Sequence, residues 1–192
     1  MNTKTITLVV VFAALALVLS PIRIPTFFWP GQYFRLWEIP VIVAFFLFGF
    51  KVSFAATVLY AVGYVTIIPD GSGIVGLPWV IVLMLSVFLG LFLARNIVNR
   101  NISEIDKRWM KPIVLFTSLG VLSRVAIMPF VDYGVYLFLL PFVIGRALPN
   151  VYIMGLMPAI VFFNSVVPLY TIPIAYVMAK TIGTNMKIGK AL

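Results

Sequence analysis

The chain has 192 residues, of which 63% are hydrophobic and only 10% are charged. Because a soluble domain carries about 25% charged residues, this composition excludes an ordinary soluble protein and predicts an integral membrane protein. The chain has a net charge of +9 and contains no cysteine and no histidine, which excludes disulfides, thiolate metal sites and the commonest general base.

Six membrane spans are predicted within one domain, residues 1–192. Each is an apolar stretch comparable to the roughly 20 residues that a helix needs to cross a bilayer, and prolines, glycines or charged residues separate them. In chain order the spans are residues 5–20, 39–50, 52–68, 76–94, 112–129 and 156–180. The segment 132–155, which contains Pro141 and Pro149, is predicted to be a long, partly buried loop, a re-entrant piece or a seventh span. The expected fold class is an all-α membrane protein, a compact bundle of about six transmembrane helices.

Positive charges are distributed unevenly between the two sides of the predicted bundle. With six spans both termini lie on the same side, and that side carries ten of the fourteen Lys and Arg residues. These ten are Lys4, Lys51, Arg95, Arg100, Lys107, Arg108, Lys111, Lys180, Lys187 and Lys190. The other four are Arg23, Arg35, Arg124 and Arg146. The positive-inside rule therefore predicts that both termini are cytoplasmic. The positive net charge is then explained by membrane orientation and attraction to lipid headgroups, and a nucleic-acid partner is not expected.

A charged and aromatic segment, FRLWEIP, precedes the second span. It follows a proline-restricted loop rich in aromatic side chains, PIRIPTFFWPGQYFR, residues 21–35. One interpretation is an interfacial aromatic belt in which Arg35 and Glu38 extend to the headgroups. The other is a lid that caps a substrate, in which Trp29 and Tyr33 offer stacking faces while Arg35 and Glu38 orient a polar ligand.

Further polar groups are predicted to reach the same outer side, namely Arg124, Asp132, Asn150 and Asn164. Charged residues within spans are rare and usually face a cavity or a partner. Arg124 and Asp132 are eight residues apart and differ by about 80° around an ideal helix, so Pro129 would have to bend the chain for them to pair. A structural ion pair and a ligand-binding role are both open for these two residues.

Small residues cluster on the first span at Ala13, Ala14 and Ala16. Small side chains allow a second helix to approach closely in a membrane, where lipid supplies no hydrophobic drive. The alanines either receive a partner helix or pack within the bundle.

Several segments carry a family resemblance. They are the alanine-rich helix VFAALALVLS, the proline-containing loop, and RLWEIP running into a helix that ends in Phe-Gly-Phe. Together with six spans and a small basic chain, they resemble the substrate-binding S component of energy-coupling factor (ECF) transporters. In the second half, MPFVDYGVYLFLLPF (residues 128–142) and FFNSVVP (residues 162–168) are most similar to the riboflavin-specific members.

The resemblance implies a multi-pass protein of a prokaryotic cell membrane that has no enzymatic activity and binds a vitamin, riboflavin first, on the outer side. The implied partners are a transmembrane T component and two ABC-type ATPases, and this chain has no G-x-x-x-x-G-K-[ST] motif of its own. No cofactor or metal is implied besides the bound vitamin. The candidate substrate-binding residues are Trp29, Tyr33, Arg35, Glu38, Arg124, Asp132, Tyr133 and Asn164. The candidate partner-coupling residues are Ala13, Ala14 and Ala16. Bulky replacement at Ala13 or Ala16 is expected to abolish transport while leaving ligand binding nearly unchanged.

The sequence departs from the family pattern at three places. The alanines are not spaced four apart, Asp132 stands where an asparagine is expected before Tyr133, and Val167 stands where a lysine is expected. Thiamine or another vitamin is therefore the alternative ligand. The alternative functions are a stand-alone transporter, which normally has internal repeats that are not visible here, a membrane enzyme based on a few carboxylates, and a structural or assembly protein.

Overall fold

Helices dominate the structure, a computed structural model that describes residues 2–26, 33–67, 76–100, 110–139, 141, 145 and 149–185. Within these ranges there are six α-helices and two short strands. The helices are α1 (Thr3–Leu19), α2 (Glu38–Phe48), α3 (Phe50–Ile67), α4 (Gly76–Arg100), α5 (Met110–Gly134) and α6 (Asn150–Asn185). The strands are β1 (Arg23–Pro25) and β2 (Tyr33–Arg35), and a π-helical turn, Val135–Leu139, continues α5.

Four of these helices are long and apolar enough to cross a membrane. They are α3, α4, α5 with its π-helical turn, and α6. The other two, α1 and α2, are apolar but have only 17 and 11 residues. At 1.5 Å per residue α2 covers about 16 Å, roughly half of the hydrocarbon thickness. The predicted all-α, multi-pass membrane bundle is confirmed.

The innermost helix of the bundle is α2. All ten residues from Glu38 to Leu47 are buried, and the helix packs against α1, α3 and α6. A helix that is apolar on every side is normally an interior helix, which explains why α2 has no polar face despite its short length. Gly49 ends α2 with φ 81°, a backbone conformation that favours glycine, and α3 begins at the next residue.

A close approach between α4 and α5 depends on Gly90. A Cβ atom at this position would lie 2.3 Å from the main-chain oxygen of Leu119 and 2.4 Å from Oγ of Ser123. Only a residue without a side chain allows this separation, which is the usual way that membrane helices pack tightly. The contact holds α5 firmly against α4, and both helices contribute to the polar cluster described below.

The boundaries of the last two helices differ from the prediction. The fifth span was expected to end at Pro129, but α5 continues through Pro129 to Gly134 and on into the π-helical turn. The sixth begins at Asn150 instead of near residue 156 and contains Pro158, Pro168 and Pro173. The predicted loop is therefore wrong for residues 132–139 and 150–155. Helices in membranes tolerate proline because neighbouring helices, side chains and local π adjustments satisfy the freed backbone groups.

The segment between α1 and α2 contains a short β-hairpin that was not predicted. Strands β1 and β2 are antiparallel, with Arg23 opposite Arg35, Ile24 opposite Phe34 and Pro25 opposite Tyr33. Alternate residues of a strand point to opposite faces, so Phe34 faces away from its two neighbours. The residues between the strands, 27–32, lie outside the described ranges.

Candidate functional site

Four buried polar side chains form a hydrogen-bonded cluster in the interior of the bundle. Arg124 of α5 donates from Nη1 to Oε2 of Glu38 at 2.7 Å and from Nε to Oδ1 of Asn164 at 2.9 Å. Asn164 of α6 donates from Nδ2 to Oδ2 of Asp132 at 3.1 Å. Their exposed fractions are 0% for Arg124, 3% for Glu38 and Asn164, and 7% for Asp132. The cluster thus connects α2, α5 and α6.

Trp79 of α4 extends the cluster to a fourth helix. Its indole Nε1 donates to Oδ1 of Asp132 at 2.6 Å. The amide of Asn164 donates a second hydrogen bond to the main-chain oxygen of Ile160, at 3.0 Å. Both carboxylate oxygens of Asp132 and both ends of the Asn164 amide are therefore engaged. Such a connected polar network fixes the relative positions of the helices that contribute to it.

Arg124 and Asp132 do not pair directly. They are separated by eight residues of α5, about 12 Å along a helix axis, and Asn164 bridges them from the neighbouring helix. The structure thus answers the question that the sequence left open: the ion-pair partner of Arg124 is Glu38. The guanidinium is compensated by one carboxylate and one amide oxygen, whereas Asp132 is held by two uncharged donors.

The β-hairpin is attached to helices on two sides. The guanidinium of Arg35 donates to the hydroxyl of Tyr64 on α3 and lies 5.3 Å from the centre of that ring. The hydroxyl of Tyr170 on α6 donates to the main-chain oxygen of Arg35 at 3.0 Å. Phe34 stacks on Phe163 of α6, with ring centres 5.4 Å apart. Strand β2 is therefore held between α3 and α6.

Trp37 holds the start of α2 in place. Its ring stacks on Tyr60 of α3 with centres 4.4 Å apart, and Oγ of Ser20 lies 3.1 Å from the Tyr60 hydroxyl. Trp37 is only 4% exposed, and Glu38, the next residue, is buried in its ion pair. Both side chains are buried within the protein, so Glu38 does not extend to the lipid headgroups as the aromatic-belt interpretation expected. The indole and the carboxylate instead fix the first turn of α2 within the bundle.

The structure brings four of the predicted substrate-binding residues into direct contact, namely Glu38, Arg124, Asp132 and Asn164. Two more lie on the hairpin: Arg35, and Tyr33, whose ring is 5.5 Å from the guanidinium of Arg23. Tyr133 directly follows Asp132 and is half-buried, and Asn150 is exposed at the start of α6. Trp29 lies outside the described residues.

Sequence reasoning missed Trp79, Tyr64 and Tyr170. An aromatic residue near the end of a span is typical of a membrane interface, so Trp79 gave no signal of its own. Tyr64 follows Tyr60 by four residues, which places both rings on one face of α3, and this spacing was the available signal. Tyr170 carries no local signal, because its partner Arg35 is far away in the chain.

The three alanines of α1 have different environments. Ala13 and Ala16 are 1% and 0% exposed and belong to the core of this chain. Ala14 is exposed on the opposite face of the helix. The small size of Ala13 and Ala16 is used for packing within the bundle, and Ala14 is the alanine that a second protein can reach.

No protein-family model and no curated protein sequence matches the chain. A solved structure with a similar fold is that of the S component of a bacterial ECF transporter, with a TM-score of 0.69. The two chains are 18% identical, and the similarity covers 97% of this chain and 99% of the other. The fold that the sequence resemblance implied is therefore confirmed over nearly the whole length of both chains.

Proposed function

We propose that this chain is the substrate-binding S component of an ECF transporter and that it binds a vitamin near the outer side of a prokaryotic cell membrane. The observation that carries the proposal is the similarity of fold to a bacterial S component over 97% of the chain. The protein then has no catalytic step of its own. Its role is to bind the vitamin, and the partner ATPases supply the energy for uptake.

The buried polar cluster and the hairpin beside it supply the chemistry that such a task needs. Small-molecule sites combine apolar and aromatic walls with a few polar groups that orient the ligand. Here Phe34 of the hairpin, four residues before Glu38, stacks on Phe163, which directly precedes Asn164 of the cluster. Asn164 and Asp132 add amide and carboxylate oxygens, which keep acceptor capacity for donors of a ligand.

Riboflavin is the first choice for this ligand. It is a flat heterocycle with a polyhydroxyl tail, and it suits stacking on aromatic side chains such as Tyr33 and Trp29 together with hydrogen bonds to the cluster. The resemblance of residues 128–142 and 162–168 to riboflavin-specific members supports the same choice. Thiamine is the second choice, because Asp132 and Val167 depart from the riboflavin pattern.

A T component and two ABC-type ATPases are the proposed partners for uptake. The chain has no phosphate-binding G-x-x-x-x-G-K-[ST] motif, so ATP-driven uptake requires another subunit. On α1, the exposed Ala14 offers a place for close approach of a partner helix. Both termini are proposed to be cytoplasmic.

The proposal is tested by identifying what the protein carries. The wild-type chain is purified alone in detergent and denatured, and the released small molecules are identified by mass spectrometry. A vitamin at close to one equivalent is expected. The Asn164→Ala variant, which removes the amide that bridges Arg124 and Asp132, is expected to carry much less. A folded wild-type protein that carries no vitamin, and that binds none when vitamins are added, would contradict the proposal.

A further inference from the structure

We propose that Asp132 makes the site selective against anionic ligands, so that its ligand is an uncharged or cationic molecule with hydrogen-bond donors. This inference rests on the proposed function and names the chemical class of its substrate. It begins from a difference between the two buried carboxylates. Glu38 is neutralised directly by Arg124, whereas the hydrogen-bond partners of Asp132 are the indole of Trp79 and the amide of Asn164.

The charges of the cluster do not balance. It contains two carboxylates, Glu38 and Asp132, and one guanidinium, Arg124, which pairs with Glu38 and is joined to Asp132 by hydrogen bonds through Asn164. A buried carboxylate that has only neutral donors is poorly compensated for its lost hydration. A ligand that brings a donor or a positive charge supplies the missing compensation, and an anionic ligand increases the deficit.

The neighbouring cations of the hairpin do not reverse this balance. Arg35 lies against the ring of Tyr64 on α3, and Arg23 lies over the ring of Tyr33. Neither side chain forms a hydrogen bond with Asp132, whose partners come from α4 and α6. Among the residues that the structure describes, the excess negative charge therefore stays near the C-terminal end of α5, two residues before that helix ends at Gly134.

Asp132 retains the capacity to accept a ligand. It is 7% exposed, and each carboxylate oxygen has two lone pairs, of which the hydrogen bonds from Trp79 and Asn164 use one per oxygen. A donor on the ligand is therefore added without displacing either protein partner. Riboflavin, which has several hydroxyl and N–H donors, and thiamine, which is a cation with an amino group, both fit this requirement. A phosphate ester adds negative charge to either molecule and therefore fits this requirement less well.

The test compares each vitamin with its own phosphate ester. Dissociation constants are measured for riboflavin and riboflavin 5′-phosphate by flavin fluorescence, and for thiamine and thiamine monophosphate by calorimetry. The proteins are the wild type, Asp132→Asn, which removes the charge, and Asp132→Glu, which keeps it. Thr117→Val is the matched control, because it removes a hydroxyl that is buried in the same helix and has no hydrogen-bond partner among the described residues.

The wild type is expected to bind the ester of its preferred vitamin at least about tenfold more weakly than the vitamin. If the phosphate lies about 8 Å from the Asp132 carboxylate, repulsion at an effective dielectric constant of about 20 lowers the affinity roughly thirtyfold. Asp132→Asn is expected to narrow this ratio about tenfold or more. Asp132→Glu and Thr117→Val are expected to keep it. A merely structural Asp132 would weaken vitamin and ester alike and leave the ratio unchanged.

Equal binding of vitamin and ester by the wild type would overturn the inference, and so would an unchanged ratio in Asp132→Asn. If Asp132→Asn does not fold, Asp132→Ser provides a second uncharged variant, and the wild-type ratio still decides. If a folded wild type binds none of the four probes but binds an anionic vitamin, the inference is overturned. If it binds no vitamin at all, the proposed function fails and the inference falls with it.

Discussion

Arg124 of α5 and Glu38 of α2 lie 86 residues apart in the chain and form a buried ion pair, with 2.7 Å between Nη1 and Oε2. The pair joins the innermost helix to one of the long spans. The same guanidinium holds Asn164, so the ion pair also determines where the amide of α6 lies. The geometry of the candidate site therefore depends on this one contact.

Breaking the ion pair from one side is expected to destabilise the protein strongly. Glu38→Gln leaves the Arg124 guanidinium buried without its counter-charge, and Arg124→Gln leaves the carboxylate of Glu38 in the same position. Each is expected to lower the free energy of unfolding by about 3–5 kcal/mol. The double variant leaves neither charge unpaired, so its loss should be smaller than the sum of the single losses. Reversible unfolding in detergent measures all three.

Lys51→Gln is the control for this cycle, because it removes an exposed charge from the start of α3. Its effect is expected to stay within about 0.5 kcal/mol. Single variants that are as stable as the wild type, or losses that simply add in the double variant, would show that the pair does not hold α2 against α5.

The tyrosine hydroxyls that contact Arg35 are expected to hold the hairpin in place. Tyr64→Phe and Tyr170→Phe each remove one hydrogen bond to that residue, worth about 1 kcal/mol. Hydrogen exchange of the hairpin amides should accelerate about fivefold in each variant. The double variant should show the product of the two factors, because the hydroxyls lie on different helices. The measurement is exchange followed by mass spectrometry of peptides that cover residues 21–35.

Tyr152→Phe serves as the control for the hairpin, since Tyr152 is 56% exposed at the start of α6. Its removal should leave hairpin exchange unchanged. Equal acceleration in all three variants would point to a general loosening of the bundle, and no acceleration in the first two would exclude them as hairpin contacts.

Ala14, Ala13 and Ala16 should respond differently to a large side chain. Leucine at Ala13 or Ala16 overpacks the core and is expected to cost about 1–3 kcal/mol of stability, with loss of both ligand binding and uptake. Leucine at the exposed Ala14 should leave folding and binding intact and reduce uptake, because it blocks close approach of a partner helix. Vitamin binding by the isolated chain and uptake by cells with the complete transporter are compared.

Ala14→Ser is the conservative partner of this series and should transport normally. The sequence-based prediction expected this effect on uptake at Ala13 and Ala16. Because both of these residues are buried, the prediction is kept only for the exposed Ala14. Normal uptake by Ala14→Leu would remove α1 from the coupling surface.

The orientation of the chain is tested with single cysteines, since the natural sequence contains none. Ser103→Cys lies between α4 and α5 in the chain, on the side that the charge distribution predicts to be cytoplasmic, and it should react with an impermeant maleimide only after the cells are opened. Ile22→Cys, beside the hairpin, should react on intact cells. Labelling of Ser103→Cys on intact cells would reverse the predicted topology.

Much of the helical bundle was predictable, and so was the membership of the polar cluster. Charged residues interrupt the apolar spans so rarely that Arg124, Asp132 and Glu38 could be selected from the sequence. Their pairing could not, because the choice between Glu38 and Asp132 as partner of Arg124 depends on how α2, α5 and α6 pack. Asn164 decides that choice from a third helix.

The β-hairpin and the end of α5 could not be predicted, because the local sequence gives no reliable signal for either. The strands of the hairpin have three residues each, too few for an alternating pattern to indicate a strand. A proline usually ends or kinks a helix in water because it removes a backbone donor. Within this bundle, however, α5 continues past Pro129. Rules drawn from helices in water therefore placed the end of the fifth span too early.

The central claim, that the chain binds a vitamin, is tested most directly by titration with riboflavin. Purified protein freed of bound ligand is added to riboflavin while flavin fluorescence is followed, because stacking on an aromatic side chain quenches it. The account predicts saturable quenching with one riboflavin per chain at micromolar protein. If riboflavin is not quenched but thiamine or another vitamin protects the protein from heat, riboflavin is excluded and the protecting vitamin is the ligand. A folded protein that is neither quenched by riboflavin nor protected by any vitamin would contradict the account.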